Sequence, residues 1–255
     1  MLLSALQGLR RTIDGRRSVE VGWLLRTDHA GFIWHDPKPL GQSVSRSKHP
    51  KSVSRCPAVV DHEARMFQVL CPLDLRLKVC MDQEQPRLVN VDGHNASVID
   101  RALAQIAFLV PREQWRHPDR PLLQIKTPYT FIADEQVYLM QLPPLLHFAR
   151  PAWPGVVIGG RVPIHIWPRP LAWAFEWHDV QQELVLRRGE PWFYCRFEAM
   201  DASRHVRLVE AELTSELKQY FTGLNGVVNY VNRTFNLFDI ARRRRPERLL
   251  VRAHR

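Results

Sequence analysis

Apolar residues alternate with small or polar ones through the middle of this chain, most clearly where Leu171, Trp173, Phe175 and Trp177 interleave with Ala172, Ala174, Glu176 and His178. A period of two sends successive side chains to opposite faces, so the run predicts a strand with one face buried. Comparable runs occupy residues 54–60, 66–71, 74–79, 122–127, 136–142, 156–166, 183–187, 191–198 and 206–211, separated by Pro, Gly and Asp turns. Short strands at this spacing predict a mainly β protein, an antiparallel β-sandwich or jelly roll, because each sheet has one apolar face to cover. Five of the eight tryptophans and eight of the nineteen prolines fall between Pro143 and Trp192, which places the aromatic core there. The clearest punctuation is Arg188-Gly-Glu-Pro191, where Gly189 is free to take a positive φ and Pro191 sets the entry to a strand.

The two ends read differently. Residues 1–50 predict an arm or flap, with a strand at 19–26, an extended stretch at 32–35 and loop composition over 36–50. The stretch from 95 to 108 suits a short helix, and 105–110 equally suits a strand. After residue 211 the period becomes helical: Leu213, Leu217, Tyr220 and Phe221 form one series and Val227, Val231, Phe235 and Phe238 another. These predict helices over 212–240, packed on the edge of a sandwich that spans 51–211, with a basic tail over 241–255 beyond them.

Composition narrows the class. With 45% hydrophobic and 24% charged residues the chain is ordinary for a globular protein, and no uncharged apolar run approaches the roughly 20 residues that cross a bilayer. The apolar opening has no preceding positive region and runs into Arg10 and Arg11, which predicts a cytoplasmic protein. The net charge of +10 is concentrated at the ends: ten basic and four acidic residues within 1–60, seven and one within 241–255, nineteen and twenty-one between. Such a tail can contact nucleic-acid phosphates, but its commoner role is a solvated, solubilising end, and no helix-turn-helix, zinc-finger or RNP pattern accompanies it. The cysteines at 56, 71, 80 and 195 lack the paired spacing of a zinc site and read as free thiols. A hairpin joining 54–60 to 65–71 would set Cys56 opposite Cys71 and allow a cross-strand disulfide.

Candidate chemistry lies on the central strands. Alternation along 161–167 puts Arg161, His165 and Trp167 on one face and Val162, Ile164 and Ile166 on the other. Glu176 and His178 share a face two residues apart, and with His165 they would make a two-histidine, one-carboxylate set suited to Fe(II). Arg161 or Arg169 would then hold the carboxylate of 2-oxoglutarate. The duller reading makes Glu176 and His178 a wet strand end. As a ligand platform, Tyr129, Tyr138 and Trp167 offer flat apolar surface beside Arg161 and Arg169, although most rings in a sandwich of this size belong to its core. Nucleotide-binding loops and the Gly-x-Ser-x-Gly elbow are missing from the sequence.

Leu122-Leu-Gln-Ile-Lys-Thr-Pro-Tyr129, Phe175-Glu-Trp177 and Arg188-Gly-Glu-Pro191 resemble segments of an uncharacterised bacterial and phage family of unknown function, over roughly residues 54–198. The resemblance implies a jelly-roll-like body. The turn before Pro191 is also similar to the second half of a cupin, but the cupin His-x-His is not in this sequence. The leading expectation is therefore a β-sandwich that binds a small or extended ligand or a protein partner. An iron- and 2-oxoglutarate-dependent oxygenase and a structural component of an assembly are the alternatives.

Overall fold

A computed structural model describes residues 18–26, 32–40, 49, 51–82, 85–93, 100–228 and 234–253. The fold is mainly β. Its strands are β1 (Ser18–Leu25), β2 (Lys38–Pro39), β3 (Met66–Leu70), β4 (Leu75–Asp82), β5 (Gln85–Asn90), β6 (Ala107–Leu109) and β7 (Leu122–Ile132). They continue with β8 (Val137–Leu142), β9 (Gly155–Ile158), β10 (Gly160–Pro163), β11 (Pro170–Trp177), β12 (Leu184–Leu186), β13 (Pro191–Ala199) and β14 (His205–Glu210). The helices are α1 (Pro57–Ala64), α2 (Asp100–Ile106), α3 (Ser215–Val228) and α4 (Thr234–Arg244).

The larger sheet runs β14-β1-β7-β11-β9, with β6 also on β7; the second runs β10-β8-β13-β3-β2, and a third joins β12, β4 and β5. Pairing is antiparallel except between β1 and β14. The stripe of Leu171, Trp173, Phe175 and Trp177 is buried in one cluster with Phe193, Cys195 and Phe197 of β13 and Tyr129 and Phe131 of β7. Rings from the two sheets meet edge to face, Phe131 on Phe197 at 5.3 Å and Tyr129 on Phe193 at 6.3 Å. The aromatic alternation along β11 thus marks the inner wall of the sandwich.

Helices α3 and α4 cover the other side of the larger sheet. Leu217, Phe221 and Leu224 of α3 pack with Leu24, Ile132, Ala211 and Ala241 in a second buried cluster. Thr214 Oγ1 accepts the Leu217 N–H at 3.1 Å and so caps the start of α3. The Tyr220 hydroxyl reaches the carbonyl oxygens of Ile166 and Ala241, 2.5 and 2.9 Å away.

Two expected strands change, the cysteines are free thiols as their spacing predicts, and the ambiguous stretch is resolved. Residues 54–60 are not a strand: Val53–Arg55 is a 3-10 turn and α1 follows, with Pro57 in its first turn, where a missing N–H costs nothing. The hairpin that would oppose Cys56 and Cys71 is therefore absent, and all four cysteines are free. The alternation over 161–167 stops at β10, because Ile166 N and Trp167 N both donate to Pro163 O and wind the chain into a turn. The ambiguous stretch contains both forms, α2 followed directly by β6.

The ends belong to the body where they are described. β1 lies between β14 and β7 with Val19 and Val21 buried. The expected tail is docked: Leu249 and Leu250 are buried in the second cluster, and Asp134 Oδ1 accepts both of their N–H groups, at 2.6 and 3.2 Å. Glu212 N donates to Val251 O and Ala253 N to Glu210 O, which adds the tail to the end of β14. Arg245 donates to His165 O at 2.6 Å and to Asp134 O at 2.9 Å, so its charge serves backbone carbonyls. Residues 1–17, Val231 and Arg255 lie outside the described residues.

Candidate functional site

The site follows from a break in β7. Along one edge of this strand two short strands lie end to end, β6 opposite Leu123–Ile125 and β1 opposite Tyr129–Ile132. Neither pairs with Lys126, Thr127 or Pro128, and Pro128 has no N–H to offer a ladder. On the other edge the β11 register is irregular between Pro170 and Ala172, where a second proline removes a second donor. Thr127 Oγ1 fills part of that gap by donating to Leu171 O at 2.7 Å, and Arg26 N donates to Pro128 O at 2.8 Å.

A cleft of about 460 Å³ opens over this break. Three cations line it, Arg26 from the end of β1, Lys126 from β7 and Arg169 from the approach to β11. Phe32, Trp34 and Phe108 give it aromatic walls, and Gln105 and Gln124 add amides. Among the described residues, its lining contains no Asp, Glu, His or Cys.

The cations are held against rings. Lys126 Nζ stands 5.6 Å from the Phe108 ring, Arg169 Cζ 4.9 Å from that of Trp167, and Arg26 Cζ 4.2 Å from that of Phe221 on α3. Among the described residues, no carboxylate pairs with Lys126 or Arg169. Desolvation pushes the Arg169 pKa below the ordinary arginine value although part of the side chain reaches solvent. The Trp34 Nε1 donor is buried and has no protein partner. The volume fits a small-molecule site, and the lining fits an anion that carries an apolar or aromatic body.

The residues expected at the site separate into four places. Arg169 is in the cleft. Tyr129 is core, fully buried with its hydroxyl donating to His35 O at 2.7 Å, and burial pushes its pKa up. Arg161, Tyr138 and His165 gather on the outside of the smaller sheet: Arg161 Cζ lies 3.5 Å over the Tyr138 ring, and the His165 ring meets Tyr138 at 5.5 Å. His165 Nδ1 lies 3.0 Å from Val137 O, and burial lowers its pKa. Trp167 packs on Phe238 at 5.5 Å, against the helical layer.

The set of His165, Glu176 and His178 does not assemble. Glu176 and His178 do meet, Oε1 to Nε2 at 3.0 Å, and Arg120 stands 3.5 Å from the same buried oxygen. His165 sits on the turn after β10, which belongs to the other sheet, and its contacts are Val137, Tyr138 and Arg245. Among the described residues no group of three or more His, Cys, Asp and Glu side chains is placed to hold a metal ion. Glu176 serves as the partner of Arg120 and His178 near the end of β11.

The cleft residues missed by sequence reasoning are Arg26, Lys126, Phe32, Trp34, Phe108, Gln105 and Gln124. One signal pointed to them: Thr127-Pro128 and Pro170 put proline inside strand patterns, where it marks a broken ladder. Compared with protein-family models and with curated proteins, the chain finds no match.

Proposed function

We propose that this protein binds a small organic anion, a carboxylate or phosphate ester with an apolar or aromatic body, in the cleft over the β7 break. The observation that carries the reading is three cations and three aromatic rings around one cavity that no acidic residue lines among the described residues. An anion entering there gains charge-assisted hydrogen bonds from Arg169 and Lys126, while its body replaces water against Trp34, Phe32 and Phe108. The lining favours binding over acid–base catalysis, since among the described residues it offers neither a carboxylate nor an imidazole to move a proton.

Phenyl phosphate and benzoate test this, with benzyl alcohol as the neutral control, by calorimetric titration of the whole chain and of the R169A and K126A variants. Both anions bind the wild type and the alcohol does not. Loss of one charged partner at about 1.5 kcal/mol weakens binding roughly tenfold in each variant. Equal affinity of both variants and the wild type for benzoate refutes the site.

A further inference from the structure

We infer that the outer face of the smaller sheet carries a second, separate anion site, centred on Arg196 and suited to a phosphate monoester. The register aligns Arg161 of β10, Met140 of β8, Arg196 of β13 and Met66 of β3 in one row across that face. Arg65 stands beside the row, next to Met66 at the end of α1. The three guanidinium groups line one cleft of about 300 Å³ with Tyr138 and Glu198.

Two of these arginines have protein partners. Arg65 Nη2 donates to Ala202 O at 2.6 Å and to Asp61 Oδ1 at 3.2 Å. Arg161 Nε donates to Glu198 Oε2 at 3.1 Å, with its guanidinium laid on the Tyr138 ring. Arg196 differs. It is half-buried, its Nε is fully buried with no hydrogen-bond partner, and no carboxylate pairs with it among the described residues.

A guanidinium with one nitrogen withdrawn from water without an acceptor, in a cleft shared with two others, is unfavourable, and an anion there would offset that cost. Among the described residues Glu198 is the single acid lining the cleft and is already engaged by Arg161, while Asp61 is engaged by Arg65 beside it. The cleft therefore keeps a positive excess. A tetrahedral dianion with three terminal oxygens matches converging guanidinium forks better than a carboxylate, which presents two oxygens and one charge. The sites are independent, because Arg169 and Lys126 belong to the larger sheet's cleft and Arg196 to the smaller sheet.

Inorganic phosphate, with acetate and chloride at matched ionic strength, tests the inference through the thermal midpoint and calorimetry of the whole chain. Phosphate raises the wild-type midpoint and the matched salts do not. R196M, whose side chain matches the flanking methionines, keeps its midpoint in phosphate-free buffer and loses the phosphate response, with at least tenfold weaker binding. R196K keeps the charge, loses the fork and binds about fivefold more weakly, so it decides the matter if R196M fails to fold. R169A retains the inorganic phosphate response in full. A response preserved in R196M or R196K, one lost in R169A, or one that acetate reproduces overturns the inference.

Discussion

Replacing Leu249 by Ala tests whether the basic end of the chain is structural. Leu249 is 1% exposed and packs with Leu24, Ile132, Leu217 and Phe221, between the larger sheet and its helices. A Leu→Ala change in a closed core costs about 2–5 kcal/mol, from lost transfer energy and the cavity left behind. About 3 kcal/mol suits this site, because Asp134 pins the Leu249 backbone and limits collapse around the void. For a chain of this size that lowers Tm by roughly 6–12 °C. The comparison variant is R242A/R243A, which removes two charges from the same end. The Arg242–Asp239 pair is exposed on both sides, so this change costs less than about 1 kcal/mol. Urea unfolding followed by tryptophan fluorescence measures both, with an unchanged m-value as the check on the native and denatured states. If L249A falls within about 0.5 kcal/mol of wild type, or the arginine variant is the less stable, the docked tail is refuted.

Other outcomes follow from single contacts. A Cβ added at Gly155 would lie 2.0 Å from the Glu176 carbonyl oxygen, so G155A must separate β9 from β11 and lose at least about 2 kcal/mol by the same urea assay. Cys56 and Cys80 are exposed while Cys71 and Cys195 are buried, so a thiol reagent titrates two groups in the native protein and four in urea. Burial pushes the Cys71 pKa from the usual 9.0 up to about 12. The unfolded chain therefore loses this proton first as pH rises. Stability is unaffected below pH 9 and falls between 9 and 12, by up to about 1.4 kcal/mol per pH unit from this thiol, and C71A makes that decline shallower. Burial likewise lifts Tyr194 and Tyr220 from 10.0 to about 12, so the decline steepens above pH 10.

Much of the sandwich was legible along the chain. The β11 stripe announced its buried face because strand geometry alone sends Trp173 and Phe175 one way and Ala174 the other. The Leu217, Tyr220 and Phe221 series announced α3 for the corresponding reason, at helical spacing. Local rules failed where the deciding contact lay far off. Residues 54–60 carry strand-like side chains, yet no strand borders them, and Pro57 with the Val60 N–H to Cys56 carbonyl bond sets a helix. The arginine-rich end looked solvated because charge is visible in a sequence, whereas Asp134, which accepts from Leu249 and Leu250, stands more than a hundred residues away.

The sites divide in the same way. By itself the sequence determined the strand period, the aromatic core, the helical end and a stock of arginines and rings able to hold an anion, since all of these depend on residue type and near-neighbour spacing. Only the tertiary structure decided which groups meet. Arg169 joined Lys126 and Arg26 because two short strands leave a gap along β7, Tyr129 was drawn into the core, and His165 went to a different sheet from Glu176. Convergence of side chains is a property of strand order and register, which long-range pairing fixes and a local pattern does not contain.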